Sequence, residues 1–343
     1  KMIESAILAA DSNTLDSTDS DHMLMMHKLF VPNCQLRGVN AMIGNTKEMY
    51  TIDSNPKPPM RLYIDFPMWI NRYNSVSIPL VNMIYSCLLL QIKFRNIEEL
   101  LYIEECGELA RPVKIRCHLQ CGVVYLGNEE RKMFATTRIE QLSERCLTNG
   151  KHRKKDIDFI ENNIDVSGTQ TTKSLVASAI NFTCPCKYFI LRLSVYNRQN
   201  QNNTDMIYWD VAGYPNRDKN GNIIPTKIKR HLLKNMKFSF NGKDREDWKS
   251  EVYYRVIQPL NKQVNPLSDG EYFYSFSLFP KQYQPSGSTN LTYITEKLIM
   301  AELDDKVVAE IKAREIDLIW QMWSCSYNRF VTMSGIGGLQ FHV

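Results

Sequence analysis

The chain has 343 residues, 43% of them hydrophobic and 23% charged, which excludes a disordered or collagen-like polymer and leaves enough apolar material for two ordinary cores. Lys and Arg number 42 against 37 Asp and Glu, a net charge of +5, and no basic stripe of the kind that tracks a phosphate backbone is present. No stretch reaches the roughly 20 uninterrupted apolar residues of a membrane-spanning helix, so direct membrane insertion is not expected.

Taken in chain order, Ile3, Ile7 and Leu8 form a first short apolar patch, too small for a signal peptide core. Residues 11–22 are polar and acidic and read as an exposed loop. Met23, Leu24, Met25, Met26, Leu29, Phe30 and Val31 form a second patch, and the two together suggest two strands. The stretch from Val39 to Pro59 is loop-like and ends in Asn55-Pro56-Lys57-Pro58-Pro59. From Arg61 the pattern turns strand-like: Leu62, Ile64 and Phe66 alternate with Tyr63 and Asp65. Ile78 to Phe94 is interrupted by Pro79, Asn82, Gln91 and Lys93 and reads as buried strands. A short helix is expected from Asn96 to about Ile103, and β structure from Val113 to Tyr125. The Thr137-Arg138-Ile139-Glu140 capping box predicts a helix that stops near Asn149-Gly150. The run Lys151-His152-Arg153-Lys154-Lys155, followed by Asp156 and Asp158, reads as a solvated linker, which places a domain boundary at 149/150.

Beyond that boundary the pattern is dominated by strands. Tyr188 to Val195 is rich in aromatic and β-branched residues. Residues 197–204 and 214–225 are loops. Met236, Phe238 and Phe240 alternate with Lys237 and Ser239 and lead into Asn241-Gly242, a pair suited to positive φ in a hairpin turn. Tyr272, Tyr274, Phe276 and Leu278 alternate with Phe273, Ser275 and Ser277. Residues 306–314 are mildly helical, and Ile316, Leu318, Trp320 and Met322 alternate with Asp317, Ile319, Gln321 and Trp323. Many strands separated by Gly, Pro and Asn loops predict an all-β chain of antiparallel sandwiches.

Residues that carry chemistry are few. Nine cysteines, at 34, 87, 106, 117, 121, 146, 184, 186 and 325, sit mostly in apolar patterns and are expected as free thiols. Cys117-His118 with Cys121, and Cys184 with Cys186, lack the usual zinc spacing, so no bound zinc and no metal site is expected. The six histidines, at 22, 27, 118, 152, 231 and 342, include no His-x-His pair of the cupin type, and neither a phosphate-binding Gly loop nor a Gly-x-Ser-x-Gly elbow occurs. Catalytic and cofactor-binding residues are therefore expected to be none. Sequons at Asn181, Asn202 and Asn290 read as chance occurrences.

Several motifs resemble one family in its own order. Tyr274-Ser275-Phe276-Ser277-Leu278-Phe279-Pro280, followed by Gln284-Pro285-Ser286-Gly287 and Asn290, resembles the second jelly roll of the major capsid proteins of nucleocytoplasmic large DNA viruses. Ser334-Gly335-Ile336-Gly337-Gly338 is similar to that family's Ser-Gly-x-Gly-Gly strand. Asn241-Gly242-Lys243-Asp244-Arg245 is similar to its Asn-Gly-x-Asp-Arg turn, and Gln258-Pro259 after Tyr253-Tyr254 to its Tyr-x-x-x-Gln-Pro. In the first half, Phe66-Pro67-Met68-Trp69 to Arg72, then Ile78-Pro79-Leu80, resemble its first jelly roll. Tyr125-Leu126 with Glu129-Glu130-Arg131 resemble the strand end and helix entry before the linker. Phe182 to Lys187 resembles its Phe-x-His-Pro-x-Lys, with Cys184 where many members carry His; Tyr283 departs likewise.

The resemblance implies two antiparallel jelly-roll sandwiches in tandem, residues 1–149 and 150–343, with short helices in loops. It implies a non-enzymatic structural virion protein that forms homotrimeric, pseudo-hexagonal capsomers of an icosahedral shell. Neighbouring capsomers, minor capsid proteins and penton proteins would be the partners, with no specific nucleic acid, and assembly would take place in the host cytoplasm. A non-capsid relative of the same fold, an assembly scaffold or minor shell protein, is the alternative. Only about 65 residues precede the Phe66 segment, so the first jelly roll is expected to be incomplete here, and the virion protein to exceed 39.9 kDa in mass. Pro285 fixes φ for a type I turn that Gly287 completes, and the glycines at 335, 337 and 338 allow close backbone packing.

Overall fold

The computed structural model describes residues 2–46, 59–96, 116–154, 163–164, 170–171, 175–197, 231–305 and 316–341. Its strands in chain order are β1 Ile3–Ala10, β2 Asn13–Asp19, β3 Leu88–Phe94, β4 Ile139–Lys154, β5 Asn163–Ile164, β6 Gln170–Thr171, β7 Leu175–Ala179, β8 Pro185–Asn197, β9 Leu233–Phe240, β10 Lys243–Ser250, β11 Glu271–Ser275, β12 Thr289–Asn290, β13 Lys297–Leu303, β14 Ile316–Met333 and β15 Ile336–Leu339. The helices are α1 Ser20–Phe30, α2 Asn33–Ile43, α3 Trp69–Arg72, α4 Asn128–Thr136 and α5 Gln258–Asn261. The expected all-β class holds, with short helices between strands. Two compact units emerge, neither continuous in sequence: one of Lys1–Met23, Asn40–Arg145 and Tyr327–Val343, the other of Leu24–Val39 and Cys146–Ser326.

In the first unit β1 is the centre of a three-stranded antiparallel sheet of order β2-β1-β3. The polar stretch 11–22, expected as a loop, is instead strand β2 and the start of α1. It tolerates burial because its polar atoms are engaged. The Asp16 carboxylate accepts from Ser17 N at 2.9 Å and Trp69 N at 3.3 Å. Asp19 Oδ1 accepts from Asp21 N and His22 N at 2.9 and 2.8 Å, capping α1 at its N-terminus. The second apolar patch is therefore helical. Its Met25, Met26 and Leu29 recur at 3–4-residue spacing, which suits one face of a helix better than alternation suits a strand.

Other expectations change as well. Residues 61–66 form no strand and lead into α3. Between Ile78 and Phe94 only Leu88–Phe94 is a strand, half-exposed rather than buried. Val39–Ile43 belongs to α2, and residues 116–125 are exposed and without sheet pairing. The Thr137–Glu140 capping box opens no helix. Residues 139–154 form β4, which pairs with β14, and Glu140 is held by Arg138 at 2.6 Å and Arg329 at 3.0 Å instead of by a helix N-terminus. The helix lies just before it: Glu130 Oε2 accepts from Gly127 N at 2.8 Å at the start of α4. The supposed linker at Lys151–Lys154 is the end of β4. Expectations for residues 97–103, 198–204, 214–225 and 306–314 lie outside the described residues.

The second unit is a β-sandwich. One sheet has the order β10-β9-β13-β7, and the other contains β11-β8-β14. Period-2 alternation along β8 sorts its side chains between two cores. Phe189, Leu191 and Leu193 join Val176, Met236, Phe238, Tyr272, Tyr274, Ile299, Ala301, Trp320 and Met322 between the sheets. Tyr188 and Ile190 join Phe273, Trp323 and Cys325 on the opposite face, which α1 covers with Met25, Met26 and Leu29. Each large side chain buried in this way contributes about 1.5–3 kcal/mol. Ring packing orders the inner core: Phe238 lies 4.8 Å from Tyr274 and 5.9 Å from Phe189 between centroids.

Candidate functional site

The signature residues fall into separate clusters. In the second unit Asn241 and Gly242, at φ 51° and 72°, close the β9–β10 hairpin with a two-residue turn of the type the sequence predicts. Asn241 also ties that turn to the strand entering β13. Its Oδ1 accepts from Thr295 Oγ1 and Glu296 N, both at 3.0 Å, and its own N donates to Glu296 O at 2.8 Å. Asp244 pairs with Lys237 at 2.8 Å, and the Lys237 ammonium lies 5.2 Å from the Trp248 ring centroid. Tyr274 Oη donates to Glu246 Oε1 at 3.2 Å.

Gln284 and Pro285 are exposed, whereas Ser286 and Gly287 tie this segment back onto the chain that leaves β11. Ser286 Oγ is 2.6 Å from Ser277 Oγ and accepts from Phe279 N at 2.9 Å, while Ser286 O accepts from Leu278 N at 3.2 Å. Gly287 has φ 131°, and a Cβ there would stand 2.9 Å from the carbonyl oxygen of Phe276. The glycine is thus required by backbone conformation and close approach, whereas the type I turn expected over Gln284–Gly287 is not formed. Beside it, the buried Lys187 donates to Gln282 O at 2.7 Å.

In the first unit Phe66 and Pro67 are partly buried and lead to Trp69, which is fully buried with its ring 5.6 Å from that of Phe330. Pro79 is buried and precedes the 3₁₀ turn Leu80–Asn82. Ser334 and Gly335, at φ 54° and 87°, turn β14 into β15. That hairpin packs on the segment 83–86: Tyr85 N donates to Gly335 O at 2.8 Å, and Gly337 N donates to Ser86 Oγ at 3.3 Å. A Cβ on Gly335 would run into the Tyr85 ring, and one on Gly337 into Met83, whereas Gly338 has open space. These contacts stabilise turns and close packing.

A buried polar network in the first unit carried no sequence signal. Glu144 is fully buried and pairs with Arg72 Nη1 at 3.1 Å, and Arg72 Nη2 also donates to Glu144 O at 3.2 Å. His22 Nδ1 lies 2.9 Å from Thr18 Oγ1. Burial, and secondly the charge of Arg72, lower the His22 pKa from 6.5 to about 3. Folding therefore holds His22 neutral, and the sign follows. Stability is complete above pH 6.5 and falls as pH drops toward 3, because only the unfolded chain takes up this proton; the slope is about 1.4 kcal/mol per pH unit. Urea titrations from pH 7 to pH 4 should show this loss, with His22→Asn reducing the slope by that amount. An unchanged slope in the variant would refute the assignment.

Comparison with known proteins points one way. The family described as large eukaryotic DNA virus major capsid protein matches residues 130–338, and the family described as major capsid protein N-terminus matches residues 1–114. The major capsid protein of Chrysochromulina ericina virus is 20% identical, over 99% of this chain and 79% of its own length. Its alignment runs to 463 positions against 343 residues, so at least 120 of its residues within the aligned span have no counterpart here. The major capsid protein of Paramecium bursaria Chlorella virus 1 is 22% identical over 82% of this chain and 66% of its own length. Among solved structures, PBCV-1 VP54 fitted into a reconstruction of the virophage Sputnik superposes with a TM-score of 0.71 at 17% identity, covering 100% of this chain and 84% of that one. The Faustovirus major capsid protein gives a TM-score of 0.63 at 12% identity, covering 97% and 72%.

Proposed function

This chain belongs to the family of large eukaryotic DNA virus major capsid proteins, and from that membership we propose that three copies form one pseudo-hexagonal capsomer of an icosahedral shell. Its role is structural, as a major capsid protein in the virion capsid, where chains of this family assemble with one another. The observation that carries the reading is the family match over residues 130–338, more than half of the chain. The proposal extends to two tandem jelly rolls divided near 149/150, the first incomplete in these residues, and to a protein without enzymatic activity. It includes contacts with neighbouring capsomers, minor capsid proteins and penton proteins, and assembly in the host cytoplasm.

Two features support assembly. The signature residues go into turns and packing, which hold loops in fixed positions. Ile84, Tyr85, Met333 and Ile336 of the first unit are exposed around one hairpin, an apolar surface of the kind that marks protein contacts. Light scattering on the purified 343-residue chain should give three times its mass of 39.9 kDa. The interface should bury on the order of 2,000 Å² or more. A stable monomer at micromolar concentration would overturn the capsomer reading and favour a scaffold or minor shell protein.

A further inference from the structure

The second unit brings together three ligand-type side chains that no signature motif contains. His231 stands just before β9, Glu251 just after β10 and Asp269 just before β11. His231 Nδ1 lies 3.2 Å from Glu251 Oε1 and 3.3 Å from Asp269 Oδ1, and the three donor atoms all lie within 4.8 Å of one another. In a tetrahedral zinc site with bonds near 2.0–2.1 Å, neighbouring ligand atoms are about 3.3 Å apart. The two separations from the imidazole already have that value.

Charge and hydrogen bonding point to a cation as well. Both carboxylates are buried. Arg255 Nε contacts the same two oxygens, at 2.6 Å from Glu251 and 3.2 Å from Asp269, and offsets one of the two negative charges. Each carboxylate oxygen keeps a second lone pair for another partner. Nδ1 of His231 is buried and aimed between these oxygens, yet neither contact has hydrogen-bond geometry. The hydroxyl of Tyr272, only 1% exposed, has the Gly270 backbone beside it at poor geometry. Burial, then the charges of Glu251 and Asp269, raise its pKa. The imidazole is 41% exposed and leaves a solvent side where water can complete a coordination shell.

We propose that His231, Glu251 and Asp269 bind one divalent cation of the zinc class, with Arg255 holding the two carboxylates in position. The expectation of no metal comes from cysteine and histidine spacing, which this cluster does not use. A cation here ties the entries of β9 and β11 to the exit of β10, so binding stabilises the second unit.

The test is titration of the metal-stripped 343-residue chain with zinc chloride, and with cobalt chloride followed by visible absorption. The expected result is one ion per chain, a tetrahedral cobalt spectrum without thiolate charge-transfer bands, and a zinc-dependent rise in Tm. His231→Ala and His231→Gln should each weaken binding by about a hundredfold or more and remove the rise in Tm, while keeping the Tm of the metal-free wild type. Absence of stoichiometric binding, thiolate bands in the cobalt spectrum, or wild-type affinity in both variants would overturn the proposal. Trimer formation by the metal-free protein leaves the capsid role intact in every case.

Discussion

The Gly287→Val variant will lose about 3 kcal/mol or more of stability, combining the cost of a β-branched residue at positive φ with that of forced overpacking. At this chain length that is a Tm fall of roughly 4 °C or more and a drop in soluble yield. The reason is the nature of the obstacle. The Cβ would meet the Phe276 carbonyl, 2.9 Å away, which is backbone and cannot swing aside without breaking the contact that holds Ser286 to Ser277. Gly335 provides the contrast. Its added Cβ meets the ring of Tyr85, which is 76% exposed and can rotate into solvent. At Gly242 the space is open and only the backbone conformation resists. Differential scanning fluorimetry should therefore rank the valine variants Gly287, Gly335, Gly242, from most to least damaging. A Gly287→Val protein that melts with the wild type would show that the close approach to Phe276 is absent.

Removing the Arg72 side chain should cost about 3–5 kcal/mol, the range for breaking a buried ion pair while leaving one charge behind. Glu144 has no exposed surface, so its charge cannot be rehydrated without local opening. The prediction separates two readings of the network. If the pair is valued for its net attraction, Arg72→Ala and the double variant Arg72→Met with Glu144→Leu should be equally unstable. If desolvation dominates, the double variant should recover most of the loss, and that recovery is the expected result by chemical denaturation. An Arg72→Ala protein within about 0.5 kcal/mol of wild type, the range for ordinary surface substitutions, would mean that the pair is solvated in practice.

How much of this was legible in the sequence depended on the kind of signal. Strands β8, β9, β11 and β14 were readable because alternating side chains serve two faces, and Asn241-Gly242 marked its hairpin through a local backbone requirement. Segments whose structure is imposed from a distance were not. The polarity of residues 11–22 signals solvent only if their partners are unknown, and those partners, such as the Trp69 amide for Asp16, lie far along the chain. The Thr137–Glu140 box is a valid local signal, overridden because β4 finds a ladder partner in β14 and Glu140 finds Arg329. The signature residues were found through resemblance, whereas Arg72 with Glu144, and His231 with Glu251 and Asp269, have no fixed spacing that could have announced them.

Strand β14 has a consequence for how the chain is made. Its Trp320 and Met322 lie in the inner core of one unit opposite β8, and its Phe330 packs on Trp69 in the other. Both cores therefore wait for residues that leave the ribosome late, after most of the chain they must join has already emerged. Until then β4 and β8 each lack the neighbour that β14 supplies, and the apolar faces beside them stay open. Contacts this distant in sequence also fold slowly, in milliseconds to seconds for comparable β topologies. The vulnerable species is thus the nascent chain, whose open edges invite pairing with its neighbours, and rapid protein synthesis would increase that hazard by crowding unfinished copies together.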